Sequence, residues 1–146
     1  SSDKDFAQLQ RFPNVEQYSP ILKKVIKEPL PLAQLKQLII RGDKGDGTPN
    51  ILSADDCFVT GTRQKPITEA KIIVWMNQEP SEFCNDLMLR NFSRNETLID
   101  LTKIPENLKE SILHTYENAK GKTKQEFMNY MIANRLKNLF NVIDEF

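Results

Sequence analysis

The last stretch of the chain carries the pattern that most constrains the fold. Between Thr123 and Ile143, apolar side chains recur every three or four residues, the spacing that places them on one face of an α-helix. The stretch that Pro105 opens has the same spacing. The sequence therefore predicts two C-terminal helices, whose buried faces consist of Phe127, Met131, Ile132, Leu136, Leu139, Phe140 and Ile143 in the last helix, and of Ile104, Leu108, Ile112 and Tyr116 in the one before it.

Proline and glycine divide the N-terminal part into shorter segments. Ser19 and Pro20 are typical of a helix start, and an apolar stripe follows them over 21–26. A further helix is predicted after Pro31, ending at Gly42. Residues 1–13 form either a short leading helix or a flexible leader in front of these elements.

Three segments between the helices are predicted as strands. The segment 57–60 is short and is followed by a glycine, and the segment 71–76 is almost entirely apolar. The third segment, 97–101, follows a helix that is predicted to begin at Pro80. The order of strand, helix and strand over 71–101 is compatible with one parallel crossover. The fold class predicted is therefore α+β: a helix-rich single domain with a small sheet of about three strands and two C-terminal helices.

Length and composition bound the class of protein. A chain of 146 residues with 39% hydrophobic and 27% charged side chains is typical of one globular domain. We expect a single domain over 1–146 that is part of a larger protein. Two cysteines and no apolar run of about 20 residues indicate a protein of the cytoplasm or nucleus, without a membrane span. Two Asn-x-Ser/Thr triplets, at Asn91 and Asn95, point the other way.

The segment from Gly42 to Asp56 is rich in glycine and aspartate and is predicted to be an exposed loop. It lacks the regular ligand order of a calcium loop. A weak Mg²⁺ site would arise only if Asp43 or Asp46 folded beside Asp55 and Asp56, so no metal site and no cofactor are predicted. The loop is instead interpreted as a partner-binding surface, together with the helical end of the chain; the residues concerned are Arg41, Asp43, Asp46, Asp55, Asp56 and Phe146.

Few residues are suited to catalysis. His114 is the only histidine, and its helix position turns it away from the predicted buried face. The segment from Cys84 to Arg90 has the cysteine-x5-arginine spacing of a phosphate loop, but it contains Asp86 and no glycine. No catalytic residue is therefore predicted; the enzymatic alternative would use His114 or the aspartates of 43–56.

Two lysine clusters suggest a second alternative. Twenty basic residues balance twenty acidic ones, yet lysines gather at 23–27 and at 120–124. Such clusters can contact nucleic-acid phosphates, although a solubilising rim is their commoner role. The candidate nucleic-acid contacts are Lys23, Lys24, Lys27, Lys120, Lys122 and Lys124.

The sequence alone thus predicts a non-catalytic protein–protein interaction domain, with a scaffold or regulatory role in a larger intracellular protein or assembly. Its partner would be another protein or the rest of its own parent chain. A nucleic-acid-binding module and an enzyme are the alternatives.

Overall fold

The computed structural model describes residues 1–119, 121 and 123–145. The chain divides into two compact units, Ser1–Ile104 and Pro105–Phe146, which are described separately. The extent of a single domain over 1–146 stays a prediction. In the described residues, no helix is both long enough and apolar enough to cross a membrane. The location in the cytoplasm or nucleus likewise stays a prediction.

The first unit is mainly helical, which confirms the predicted helix-rich α+β class. A 3-10 helix, Lys4–Arg11, precedes the two-stranded sheet, and a second 3-10 helix, Leu101–Lys103, ends the unit. The other elements are β1 (Gln17–Ser19), β2 (Lys24–Ile26), α1 (Pro31–Arg41), α2 (Glu69–Met76), α3 (Pro80–Phe83) and α4 (Asp86–Ile99).

The helix predicted after Ser19 and Pro20 is wrong. Residues 20–23 form a turn between β1 and β2, which pair antiparallel with Gln17 opposite Ile26. The Ser19 hydroxyl accepts a hydrogen bond from the Leu22 amide at 3.1 Å, and Lys23 adopts a positive φ of 52°. Serine therefore closes a turn here instead of capping a helix.

The three predicted strands are also wrong, and with them the parallel crossover. The residues 57–60 lie in turns, 71–76 belong to α2, and 97–99 end α4. Thr68 caps α2 by accepting a hydrogen bond from the Lys71 amide at 3.4 Å. A short apolar run fits a buried helix as well as a buried strand, so periodicity could not separate the two. In the described residues the sheet has two strands, β1 and β2.

The core of the first unit lies between α1, α2 and α4. Its buried side chains are Leu35, Ile39, Ile40, Ile51, Ile72, Phe92 and Ile99. Trp75 stacks on Phe83 with ring centroids 5.1 Å apart, and Phe83 meets the edge of Phe92 at 6.4 Å.

Two buried asparagines of α4 hold the irregular segment after α1 in place. Asn95 Nδ2 donates to the carbonyls of Ile39 and Pro49, both at 2.8 Å. Asn91 Nδ2 donates to the carbonyls of Ile51 and Ser53 at 3.0 and 3.1 Å. The segment at 49–53 lacks regular structure of its own, so α4 supplies the hydrogen bonds that its buried carbonyls need.

The second unit contains α5 (Glu106–Asn118), α6 (Lys124–Ala133) and a 3-10 helix, Lys137–Glu145. The two predicted C-terminal helices are confirmed, but the continuous helix over 123–143 is wrong. Arg135 has a positive φ of 56°, and α6 ends two residues before it. Thr123 and Glu126 form a capping box at its start.

The buried faces predicted for the C-terminal helices are largely absent. Met131 is the buried side chain of α6, whereas α5 has none, and Leu108, Ile112 and Tyr116 are exposed.

Candidate metal centre

Three carboxylates of the first unit converge on one point. Asp5, Asp43 and Asp46 each offer an oxygen, and these oxygens all lie within 4.8 Å of one another. We call this group the carboxylate cluster. Asp5 comes from the first turn of the 3-10 helix Lys4–Arg11, and the other two from the turn after α1.

The N-terminal 3-10 helix is held to the end of α4 by one buried side chain. Gln8 is 1% exposed; its Nε2 donates to the Ile99 carbonyl, and its Oε1 accepts from the Leu101 amide, both at 3.0 Å. Asp3 caps the helix by accepting from the Asp5 amide at 3.1 Å. These contacts fix where Asp5 stands.

The turn after α1 is folded tightly enough to point Asp43 inward. The Asp43 carbonyl accepts from the Thr48 amide at 2.8 Å, and its side-chain Oδ1 accepts from the Gly45 amide at 2.9 Å. Gly42 begins the turn with φ of 67° and lies against the backbone of Thr48 and Pro49. Asp43 is consequently only 5% exposed.

The electrostatics of the cluster are uneven. Lys4 Nζ lies 2.6 Å from Asp43 Oδ2, and this contact holds the pKa of Asp43 below its ordinary value. The pKa of Asp5 is raised, first by burial and then by the charges of Asp3, Asp43 and Asp46. Its Oδ1 atom is buried and has no hydrogen-bond partner among the described residues.

This donor set fits a hard divalent cation. Mg²⁺ and Mn²⁺ prefer oxygen ligands, and carboxylates supply both the oxygen and the compensating charge. Asp5 also has a buried oxygen without a hydrogen-bond partner among the described residues, and a bound cation would offset the cost of burying its charge. Asp5, Asp43 and Asp46 are therefore the residues that would hold it.

Substituting Asp5 and Asp43 should have opposite effects on the stability of the metal-free protein. We expect Asp5→Asn to raise the melting temperature at pH 7 in EDTA, because it removes a charge that burial and its neighbours disfavour. Asp43→Asn should lower it, because the ion pair with Lys4 is lost. Thermal unfolding followed by circular dichroism measures both melting temperatures. A lower melting temperature for Asp5→Asn would contradict the conclusion that the charge of Asp5 is unfavourable in the metal-free protein.

The pH dependence of stability follows from the lowered pKa of Asp43 and the raised pKa of Asp5. The folded-state pKa of Asp43 lies below the ordinary 3.8, so its stabilisation is present above that pH and is lost as pH falls through the folded value. The folded-state pKa of Asp5 lies above 3.8, so its unfavourable charge is relieved as pH falls toward that value. Asp5→Asn should therefore gain least over wild type at low pH.

The residues predicted as a partner-binding surface do not form one group. Arg41 pairs with Glu69, with nitrogen–oxygen distances of 2.6 and 2.7 Å. Asp55 pairs with Arg90 and Arg94, and in the described residues neither it nor Asp56 belongs to the carboxylate cluster. Phe146 lies outside the described residues. A protein partner, or contact with the rest of a longer chain, stays a prediction.

The other sequence candidates are scattered. His114 is exposed on α5, and its carbonyl accepts from Asn118 Nδ2 at 2.7 Å. Lys23, Lys24 and Lys27 lie exposed on or beside the hairpin, and Lys124 starts α6; Lys120 and Lys122 lie outside the described residues. Cys84 is half-buried after α3, and burial raises the pKa of its thiol, which is unsuited to a nucleophile.

The sequence analysis missed Asp5 because residues 1–13 were assigned either to a short leading helix or to a flexible leader, and no functional residue was sought there. The one available signal was the pair of carboxylates at Asp3 and Asp5, two residues apart.

Comparison with known proteins overturns the predicted function. The model of the family described as "T4 RNase H, C terminal" matches residues 32–146. Ribonuclease H of Enterobacteria phage T4 is 29% identical over 153 residues, an alignment that covers all of this chain and 50% of that protein. The chain thus spans about half the length of this relative.

The prediction of a non-catalytic interaction domain is therefore wrong, because these matches indicate a nuclease-related function. Since the family model covers most of the chain, the protein belongs to the T4 RNase H C-terminal family.

Proposed function

We propose that this chain is the nucleic-acid-binding part of a nuclease and that its carboxylate cluster binds divalent metal for cleavage of phosphodiester bonds. The observation that carries the proposal is the convergence of Asp5, Asp43 and Asp46 within 4.8 Å, with one oxygen buried and unpartnered. Membership of the T4 RNase H C-terminal family supports the class of reaction. The chain spans half the length of this relative, so the proposal extends to the metal site and not to the whole reaction.

The residues of the chain have separable roles in this proposal. Asp43 is the fixed ligand, held by Lys4 and by the Gly45 amide. Asp46 is exposed on the same turn and completes the group from the solvent side. A bound Mg²⁺ or Mn²⁺ would polarise a phosphoryl oxygen and lower the pKa of a bound water.

Binding of Mn²⁺ alone tests the proposal. We expect the wild-type chain to bind Mn²⁺ in isothermal titration calorimetry and in electron paramagnetic resonance. Asp43→Asn and Asp46→Asn should each weaken that affinity roughly tenfold or more, since each removes an anionic oxygen ligand.

Asp55→Asn is the matched control. It removes an aspartate that follows the same turn but pairs with Arg90 and Arg94 and does not belong to the carboxylate cluster. The Mn²⁺ affinity of this variant should equal that of wild type. If wild type binds no Mn²⁺, or if Asp55→Asn weakens binding as much as Asp43→Asn, the proposal is wrong.

A further inference from the structure

One lysine is built into the carboxylate cluster. Among the described residues, Lys4 is the one cation that forms an ion pair with the cluster: its Nζ lies 2.6 Å from Asp43 Oδ2. The hydrogen bond with Asp43 raises the pKa of Lys4, although burial opposes the shift, and the charges of Asp5 and Asp46 add to the effect of Asp43. Lys4 therefore interacts with all three carboxylates.

The backbone on both sides of Lys4 is held in place. Gln17 of β1 is 6% exposed, and its Nε2 donates to the Asp3 carbonyl at 2.6 Å. Asp3 Oδ1 in turn accepts from the Asp5 amide at 3.1 Å. The side chain of Lys4 is 54% exposed, so its ammonium group can turn into solvent while the backbone stays where it is.

Both side-chain oxygens of Asp43 have partners in this arrangement. Oδ1 accepts from the Gly45 amide at 2.9 Å, and Oδ2 holds Lys4. Because Mg²⁺ lies about 2.1 Å from a ligand oxygen, such a cation on Oδ2 would lie within about 5 Å of the ammonium group if the ion pair persisted. Two positive charges at that distance repel each other, and the metal and Lys4 therefore compete for the same oxygen.

We propose that Lys4 is an internal competitor of the divalent metal. Its ammonium group neutralises the carboxylate cluster when metal is scarce, and it has to release Asp43 Oδ2 before that oxygen can bind a metal ion. Lys4 thereby sets the metal concentration at which the site fills. This inference rests on the proposed function, because it concerns the same three carboxylates.

Mn²⁺ titrations of Lys4 variants test the competition by isothermal titration calorimetry and electron paramagnetic resonance. We expect Lys4→Gln to bind Mn²⁺ roughly tenfold more tightly than wild type, because the metal no longer displaces a positive charge. Lys4→Arg keeps the charge and can still pair with Asp43, so its affinity should stay within roughly threefold of wild type. An affinity of Lys4→Gln equal to or lower than that of wild type would overturn the proposal.

Lys44→Gln is the control for net charge. Lys44 follows Asp43 in the chain and is exposed, and in the part of the chain that the structure describes it has no carboxylate within 4.0 Å. At about 0.15 M salt its substitution should raise the Mn²⁺ affinity by less than roughly threefold, because an exposed charge is screened. Equal gains in Lys4→Gln and Lys44→Gln would mean that net charge alone sets the affinity, and would overturn the role of Lys4.

Thermal unfolding gives a readout that a purely structural role of Lys4 would not produce. In EDTA, Lys4→Gln should melt below wild type, because Asp43 loses its ion pair. At one fixed Mn²⁺ concentration, its melting temperature should rise by more than that of wild type, since tighter binding to the folded state stabilises it more. A rise no larger than that of wild type would contradict the competition.

Asp43→Asn shows whether the gain depends on the ion pair. Lys4→Gln/Asp43→Asn should bind Mn²⁺ with the same affinity as Asp43→Asn, because the oxygen for which Lys4 competes has lost its charge. A full gain from Lys4→Gln in the Asp43→Asn background would overturn the proposal.

The outcomes separate this inference from the proposed function. Mn²⁺ binding by wild type without a gain in Lys4→Gln overturns the role of Lys4 and leaves the carboxylate cluster as the metal site. Absence of Mn²⁺ binding by both wild type and Lys4→Gln overturns the metal site itself, and the role of Lys4 with it.

Discussion

Gly42→Ala is expected to lower the free energy of unfolding by roughly 2–5 kcal/mol. Gly42 has φ of 67°, and a Cβ atom there would lie 2.4 Å from the Thr48 carbonyl oxygen and 2.5 Å from the Pro49 carbonyl carbon. The left-handed φ costs about 1–2 kcal/mol for an alanine, and crowding against backbone adds roughly 1–3 kcal/mol. Urea unfolding followed by circular dichroism measures the sum.

Gly47→Ala separates the two contributions. Gly47 also has a positive φ, 74°, but a Cβ atom there would meet nothing within 4 Å. It should therefore cost only about 1–2 kcal/mol. Equal losses in the two variants would show that the approach of Thr48 and Pro49 to Gly42 does not matter. Because Gly42 begins the turn that holds Asp43, the alanine variant should also bind Mn²⁺ more weakly than Gly47→Ala.

Asn95→Leu is expected to cost about 2–4 kcal/mol. The side chain is 0% exposed, and its Nδ2 donates to the carbonyls of Ile39 and Pro49. Leucine has the same number of side-chain heavy atoms and the same branching at Cγ, so the loss reports the buried polar groups left without this donor instead of a cavity. Thermal and urea unfolding of the chain provide the measurement.

Ser93→Ala is the control in the same helix, because Ser93 is exposed on α4. It should change stability by less than about 0.5 kcal/mol. A loss below that limit for Asn95→Leu would mean that α4 does not hold the segment around Pro49 in place. Since that segment closes the turn after α1, a weakened Asn95 contact should also lower the affinity for Mn²⁺.

Elements with local start and stop signals were predictable. Pro31 and Gly42 bound α1 in the structure as in the sequence, and Pro80 opens α3. In contrast, 71–76 and 97–101 were assigned to strands because short apolar runs fit either structure. The hairpin at 17–26 was missed because Ser-Pro is typical of both a helix start and a turn.

The sequence analysis identified only part of the candidate metal site. Asp43 and Asp46 were singled out from the glycine-rich loop, but Asp55 and Asp56 were considered as their companions instead of Asp5. Asp55 is drawn to Arg90 and Arg94 of α4, a contact across more than thirty residues.

The amino-acid sequence by itself determined the helix-rich class, the two ends of α1 and the concentration of carboxylates after α1, because these follow from local propensity and spacing. Only the tertiary structure decided which carboxylates converge and which pair with arginine side chains. Gln8 reaches across more than ninety residues to Ile99 and Leu101, and so brings Asp5 to Asp43. Contacts at such separation depend on how whole elements pack, and no local pattern encodes them.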